Sequence, residues 1–420
     1  MIIIVFAILL IIGAPIAVAI GLSSFLAMIQ EGVSIDVFSR TIFAGIDSFT
    51  LMAIPFFIFA GDLMLAGGTS KRLIDFAKKL VGWTTGGLPI AGIMSSMLFA
   101  SLSGSSPATV AAIGGLMIPS LDDAGYSRKF AIGLMTTAGT LGIIIPPSIT
   151  LLVYGSSAEV SISDLFLAGI VPGIFIGLVL ILVSFIISIK EGFKPEGKAS
   201  LREVGKSFIS AIWGILLPVI VLGGIYFGIF TPTEAAAVAI FYSLIIGLFV
   251  YKELTVRSLI DVTKKSVITS SMIMLVIAAS NVFSWYLTYE QIPTNLAAVF
   301  LEYANTELIF LLLVIVILLL VGMFMDTSAA VLIFVPLFLP MVLELGIDPI
   351  HFGIIMIVAL SIGMITPPFG LNLFVASGIS KTSLTVVIKS TAPFILVMIF
   401  ALLVITLIPE LSLFLLDIFE

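Results

Sequence analysis

Four clusters of small, hydroxyl-bearing and proline residues interrupt the apolar stretches of this chain. Two of them, residues 101–109 (SLSGSSPAT) and 322–328 (GMFMDTS), lie between apolar helices, and the other two, residues 139–148 and 361–372, each contain a Pro-Pro pair. Hydroxyl, amide and carboxylate groups at such places could bind a small anion or a cation. The candidate substrate-binding residues are Ser103, Ser105, Ser106, Pro107, Asp326, Thr327 and Asn372.

Each Pro-Pro pair removes two amide donors and forces the preceding residue out of the helical region. The carbonyls one turn earlier then lose their usual partners, which is costly in hydrocarbon. A dehydrated Na⁺ would satisfy several such oxygens, and water is the alternative. Helix N-termini created at the breaks carry partial positive charge. Together these features favour a carrier that couples Na⁺ to an organic anion.

Asp326 is an acid placed deep in an apolar segment, and such residues are functional candidates by default. It could tune a cation or proton site. The alternative is that it caps the helix that follows. Both interpretations stay open on the sequence.

The elements that position these clusters must lie in a membrane. Of the 420 residues, 60% are apolar and 10% are charged, whereas a soluble domain carries about 25% charged residues. Several apolar runs reach the roughly 20 residues that cross a bilayer. The chain contains no cysteine and one histidine, His351, so an enzyme built on thiols or on a histidine cluster is excluded. The composition also argues against nucleic-acid binding and predicts a multi-pass α-helical protein.

Basic residues predict the orientation. With two re-entrant hairpins at residues 88–120 and 306–342, 17 of the 18 Lys and Arg residues fall on the cytoplasmic side, and only Arg40 lies outside. The first hairpin then enters from the cytoplasm and the second from the opposite side. The nine predicted crossings are residues 2–29, 43–66, 127–155, 165–189, 209–229, 234–251, 266–288, 351–379 and 390–416.

The two halves of the chain resemble each other at a nearly constant offset. Residues 98–119 match 319–340, and residues 142–147 match 363–368, both 221 positions apart. Five crossings precede the second copy, so the copies are inverted, as in many secondary transporters. We predict a first repeat at 1–208, a linking span at 209–230 and a second repeat at 231–420. Interfacial arms are expected at 68–82 and 252–265, and broken helices at 127–155 and 351–379.

Residues 99–114 (FASLSGSSPATVAAIG) resemble the signature of the large membrane subunit of tripartite ATP-independent periplasmic (TRAP) transporters, particularly the dicarboxylate type. Residues 139–154 and 363–372 resemble two further segments of that family. The resemblance implies an elevator fold and import of organic acids on a Na⁺ gradient across a bacterial or archaeal inner membrane. It also implies a separate small four-helix membrane subunit and a periplasmic substrate-binding protein. Two Na⁺ sites are implied, one at Ser103, Ser106, Gly142 and Ile145, the other at Gly322, Gly363, Thr366 and Phe369.

We therefore expect the translocation subunit of a Na⁺-coupled importer of small organic acids, with C4-dicarboxylates as the expected class. One alternative is a self-sufficient ion-coupled carrier of related fold. A membrane-embedded enzyme is disfavoured because the predicted spans contain no clustered carboxylates. A channel is disfavoured because inverted repeats predict a closed site at the middle of the membrane.

Overall fold

The computed structural model describes residues 2–193, 195, 197, 199–295 and 306–419. Within those ranges the regular structure is entirely helical, which confirms the predicted all-α class. Helices are the expected outcome because a chain in hydrocarbon must satisfy each backbone polar group within the segment itself.

The first half of the chain contains a helix–turn–helix unit that we call hairpin 1, formed by α6, α7, a π-helical segment at Val110–Gly114 and α8. A broken helix follows it, in which α10 and α11 are separated by residues 145–148. The helices are α1 Ile2–Ile11, α2 Ile16–Gln30, α3 Ile35–Ala44, α4 Ala53–Ala66, α5 Thr69–Val81, α6 Gly87–Ser103, α7 Ser106–Thr109, α8 Gly115–Asp123, α9 Arg128–Ala138, α10 Leu141–Ile144, α11 Ile149–Ala158 and α12 Ile162–Lys190.

The second half repeats this order of elements. Hairpin 2 consists of α16 and α17, and the broken helix consists of α18 and α19, separated by residues 364–370. The helices, continuing the numbering, are α13 Leu201–Tyr226, α14 Pro232–Ile245 with a π-helical extension to Val250, α15 Val256–Tyr289, α16 Glu307–Gly322, α17 Thr327–Glu344, α18 Pro349–Gly363, α19 Leu371–Ser380, α20 Leu384–Leu407 and α21 Glu410–Phe419.

Both breaks fall at the Pro-Pro pairs, and both Pro-Pro bonds are cis. In the first, Ser148 caps α11 by accepting a hydrogen bond from Leu151 N at 3.3 Å. The axis bends by 41° across this break. The helices restart because proline interrupts the ladder only locally.

Three predicted continuous crossings are wrong. Residues 2–29 form two helices, α1 and α2. They are separate because Pro15 has no amide hydrogen, so the hydrogen bonds of a single helix cannot continue through residues 12–15. Residues 43–66 do not form one span, since α3 ends at Ala44 and a short 3₁₀ turn at Thr50–Met52 leads into α4. Residues 390–416 are interrupted between α20 and α21, again at a proline, Pro409.

Residues 252–265, predicted as the second interfacial arm, do not form a separate element, and their position in the membrane interface stays a prediction. Their helical part belongs to α15, which runs without interruption for 34 residues. Thr255 caps it by accepting from Ser258 N at 3.2 Å. In the first half α5 is a distinct helix, bent by 65° from the preceding Thr50–Ala66 segment.

Six helical segments in the described ranges are long and apolar enough to cross a membrane, and eight if each of two bent pairs forms one span. Large apolar side chains are exposed on their outer faces, for example Leu178, Leu182, Val219 and Leu396. That pattern suits contact with lipid. The six are α12, α13, α14 with its extension, α15, α17 and α20.

The helices that lead into the two breaks, α9 and α18, are buried. Every residue from His351 to Gly363 in α18 is buried, and so is every residue from Phe130 to Ala138 in α9. Short interrupted helices can lie in such a buried position because the surrounding helices shield their exposed backbone from lipid. The division into two inverted repeats and the orientation of the basic loops stay predictions, and Lys194 and Lys198 of the 190–206 loop lie outside the described residues.

Candidate functional site

The turn of hairpin 1 is built from hydroxyl groups bonded to one another. Gly104 adopts the left-handed conformation (φ 56°), which lets the chain reverse between α6 and α7. Ser103 Oγ lies 3.0 Å from Thr109 Oγ1, and Thr109 Oγ1 donates to the Ser105 carbonyl at 2.9 Å. These bonds fix the tip in one conformation and turn its polar groups toward each other.

This tip packs directly on the first break. The Ile149 amide donates to the Gly104 carbonyl at 3.4 Å. A Cβ atom on Gly142 would overlap the Ser105 carbonyl oxygen and Thr109 Oγ1, so only glycine allows this approach. The structure therefore brings Gly142 against the predicted serine cluster, whereas Ile145 contacts Gly173 on α12.

The turn of hairpin 2 is organised by Asp326. Its carboxylate accepts a hydrogen bond from Ser328 N at 2.9 Å and caps the N-terminus of α17. Its side chain is also exposed toward a cavity. The two interpretations of Asp326 are thus compatible, because one oxygen caps a helix while the carboxylate faces open space.

Hairpin 2 packs on the second break through two glycines. A Cβ on Gly363 would lie 2.5 Å from Gly322 Cα, so the two backbones are in direct contact. Thr366 Oγ1 donates to the Ile362 carbonyl at 2.7 Å. The Phe369 ring lies 5.7 Å from that of Phe324 at the hairpin tip, centroid to centroid.

Several carbonyls that the prolines deprive of an amide find other donors. The Ile143 carbonyl accepts from Ser148 Oγ at 2.7 Å, and the Gly363 carbonyl accepts from Thr366 N at 3.0 Å. The Met364 carbonyl accepts from Asn372 N at 3.0 Å. The expectation that these carbonyls lack partners is therefore wrong for these three, because nearby hydroxyl and amide groups replace the lost donors.

Each hairpin tip also bonds to the restarted helix of the other half. Asn372 Nδ2 on α19 donates to Ser106 Oγ in hairpin 1 at 2.6 Å. Thr150 Oγ1 on α11 lies 3.2 Å from Thr327 Oγ1 in hairpin 2. Ser106 and Asn372 are fully buried, and the Asn372 Oδ1 atom has no hydrogen-bond partner.

Both tips border one cavity of about 630 Å³, within the range of small-molecule sites. Five predicted substrate-binding residues line it, and the predicted Ser106 and Asn372 lie buried behind its wall. Residues of α4 and α15 also line the cavity. The five are Ser103, Ser105, Pro107, Asp326 and Thr327.

The charged groups of the cavity wall are two carboxylates and one ammonium, among the residues that the structure describes. They are Asp62 on α4, Asp326 and Lys265 on α15. The sequence reasoning missed Asp62, although an acid inside the apolar segment 53–66 is the same signal that singled out Asp326. It also missed Thr109, which belongs to the 101–109 cluster, and Thr150, for which the sequence carries no specific signal.

Comparison with known proteins gives one consistent result. The family described as "Tripartite ATP-independent periplasmic transporter, DctM component" matches residues 3–411. The C4-dicarboxylate TRAP transporter large permease protein DctM of Pseudomonas aeruginosa is 47% identical over 367 residues, covering 87% of this chain and 86% of its own. The isethionate TRAP transporter permease protein DctMQ of Oleidesulfovibrio alaskensis is 44% identical over 97% of this chain, which spans 65% of that relative's length.

Among solved structures, the YdaH transporter of Alcanivorax borkumensis is similar with a TM-score of 0.68, covering 90% of this chain and 89% of its own. At 14% identity it supports the fold alone. The two close relatives are named for different substrates, so the substrate is not fixed by similarity. The chain belongs to the TRAP transporter family as its DctM component, a large, multi-span permease subunit rather than an enzyme.

Proposed function

We propose that this subunit translocates small organic acids in a Na⁺-coupled, binding-protein-dependent importer, with C4-dicarboxylates as the substrate class. The observation that carries the proposal is the cavity bordered by both hairpin tips and both broken helices. A site between the two halves is where secondary transporters bind substrate and coupling ion.

The wall of the cavity suits an organic acid. Most of it is apolar, and hydroxyl groups are contributed by Ser103 and Thr327 at the tips and by Thr150 on α11. A few polar groups in an apolar pocket fix the orientation of a small ligand. Carboxylate oxygens would accept hydrogen bonds from these hydroxyls.

Charge supports cation coupling. An anion entering the cavity meets the carboxylate of Asp326, whose repulsion strengthens as water is excluded. A cation near the tip would offset that repulsion. Because Na⁺ can shift the conformational equilibrium only by its differential affinity, it must bind the loaded state more tightly than the empty one.

Neutral oxygens near the tips fit Na⁺, as in other transporters with broken helices. The Asn372 side chain that bonds to Ser106 also carries Oδ1, which has no hydrogen-bond partner, so this region contains an acceptor oxygen without a donor. The first proposed site comprises Ser103, Ser106, Gly142 and Ile145. The second comprises Gly322, Gly363, Thr366 and Phe369.

The proposed partners are a small four-helix membrane subunit and a periplasmic binding protein that delivers the acid. The proposed location is the inner membrane. In the proposed elevator movement, the hairpins and broken helices move together against a frame that includes α4 and α15, and the cavity lies between these two parts.

Reconstitution tests this function. The full chain and its small subunit are incorporated into liposomes, and uptake of labelled succinate and of labelled isethionate is measured with and without the binding protein and an inward Na⁺ gradient. Uptake of either acid that requires both supports the importer. Uptake without the binding protein would favour a self-sufficient carrier, and uptake without Na⁺ would overturn the coupling.

A further inference from the structure

An ion pair lies on the part of the cavity wall that α4 and α15 form. Lys265 Nζ is 2.6 Å from Asp62 Oδ1, which joins α15 to α4. The side chain of Asp62 is 12% exposed and that of Lys265 is 59% exposed. The acid is therefore largely buried in the wall, whereas the ammonium of Lys265 is the more exposed partner.

Lys265 is the one basic side chain on the cavity wall among the residues described. An organic acid that enters the cavity has no other fixed positive charge to meet there. A carboxylate and an ammonium form a charge-assisted hydrogen bond, which is about twice as strong as a neutral one. In the structure, Asp62 occupies that position.

We infer that Lys265 binds the carboxylate of the transported acid in the cavity, and that Asp62 holds Lys265 in the empty cavity and is displaced by the acid. This inference rests on the proposed function, because it requires an anionic substrate. The exchange replaces one carboxylate partner of the ammonium by another, so it costs far less than breaking an ion pair outright.

Ser266 makes the exchange possible for Asp62. Its Oγ donates to Asp62 Oδ2 at 2.8 Å, so one oxygen of the acid stays hydrogen-bonded after Lys265 turns away. Ser266 is buried and cannot leave in the same way. Lys265 already lines the cavity, and its flexible side chain needs only to rotate from Asp62 to the bound acid.

The chain has no cysteine, so a single introduced thiol reports on this site. Thr269 lies one helical turn after Lys265 and lines the cavity. In the purified full-length chain carrying Thr269→Cys, the modification rate is measured with a sulfonate-bearing and with a trimethylammonium-bearing methanethiosulfonate. The ratio of the sulfonate rate to the trimethylammonium rate is independent of changes in the accessibility of the thiol, so it reports the preference of the site for an anion.

Four backgrounds are compared: the native pair, D62N, K265Q and D62N/K265Q. When Lys265 is present, we expect D62N to raise the ratio of the sulfonate rate to the trimethylammonium rate about fivefold, because a partly exposed ion pair contributes about that factor. In the K265Q background the increase should be clearly smaller. K265R should keep the native ratio. An equal effect of D62N in both backgrounds would mean that only the general field changed, and would overturn the inference, as would no effect at all.

Thr263→Cys is the matched control, since Thr263 is exposed on the same helix and does not line the cavity. Its ratio should vary little among the four backgrounds. A comparable change there would also overturn the inference. Because labelling requires no transport, this result is separate from the Na⁺ and binding-protein requirements that test the proposed function.

Discussion

Asn372 Nδ2 donates a 2.6 Å hydrogen bond to Ser106 Oγ and so joins two residues that are 266 positions apart. The hydroxyl group of Thr327, which follows Ser106 by 221 positions, lies 3.2 Å from the hydroxyl group of Thr150. Each hairpin tip is thereby tied to the restarted helix of the other half. Movement of one tip away from its partner must break a buried hydrogen bond.

Ser106→Ala should destabilise the protein by about 1–3 kcal/mol, because the buried Asn372 Nδ2 would lose its acceptor, and Oδ1 of the same side chain already has no donor. Thermal unfolding in detergent measures this. Thr136→Val is the control, since buried Thr136 bonds only within its own helix, to the Ile132 carbonyl. Equal melting temperatures for the two variants would contradict the prediction.

Gly363→Ala should separate hairpin 2 from the second break. The added Cβ would lie 2.5 Å from Gly322 Cα, and backbone must move to accept it, at a cost of roughly 1–3 kcal/mol. Gly378→Ala adds the same group on α19 where nothing lies within 4 Å, and should be neutral or slightly stabilising. Folded yield and melting temperature distinguish the two, and similar losses for both would argue against a special contact at Gly363.

The sequence predicts these contacts only in part. Both broken helices are predictable because proline removes donors wherever it occurs, and the hairpin boundaries follow from the serine, glycine and aspartate clusters. The Ser106–Asn372 bond is not predictable, because a hydroxyl group does not reveal a partner in the other half of the chain.

The single helix α15 shows another limit. A basic amphipathic stretch before an apolar one, as in residues 252–288, is compatible with an arm and a span or with one long helix, and only packing decides between them. Asp62, by contrast, is predictable from the sequence, because it is an acid inside an apolar segment, as Asp326 is.

Asp326→Asn and Asp326→Ala separate capping from charge. Asparagine caps a helix as well as aspartate does, so Asp326→Asn should change the free energy of unfolding by only a few tenths of a kcal/mol. Asp326→Ala should lower it by about 1 kcal/mol. If the charge supports cation binding, both should raise the Na⁺ concentration needed for half-maximal uptake. An unchanged Na⁺ dependence in Asp326→Asn would leave only the capping role.

Ser103→Ala should weaken Na⁺-driven uptake more than membrane insertion. The change removes the hydroxyl that lies 3.0 Å from Thr109 Oγ1 at the tip of hairpin 1, and with it one ligand of the proposed first site. Uptake is compared with the amount of inserted protein on the same vesicles. Ser101→Ala is the control, since Ser101 bonds to the Leu98 carbonyl of its own helix. Native uptake and Na⁺ dependence in Ser103→Ala would remove Ser103 from the proposed site.

Single cysteines at the bases of the hairpins test the inverted arrangement. Asp123 and Glu344 end α8 and α17, are both exposed, and lie 221 positions apart. If the repeats are inverted and 17 of the 18 basic residues are cytoplasmic, Asp123→Cys should react with a membrane-impermeant thiol reagent only from the cytoplasm and Glu344→Cys only from the opposite side. Arg202→Cys and Arg40→Cys serve as reference positions for the two sides. Because each hairpin must enter and leave on one side, labelling of both hairpin bases from the same side would require an even number of crossings between them, and the proposed inversion would be wrong.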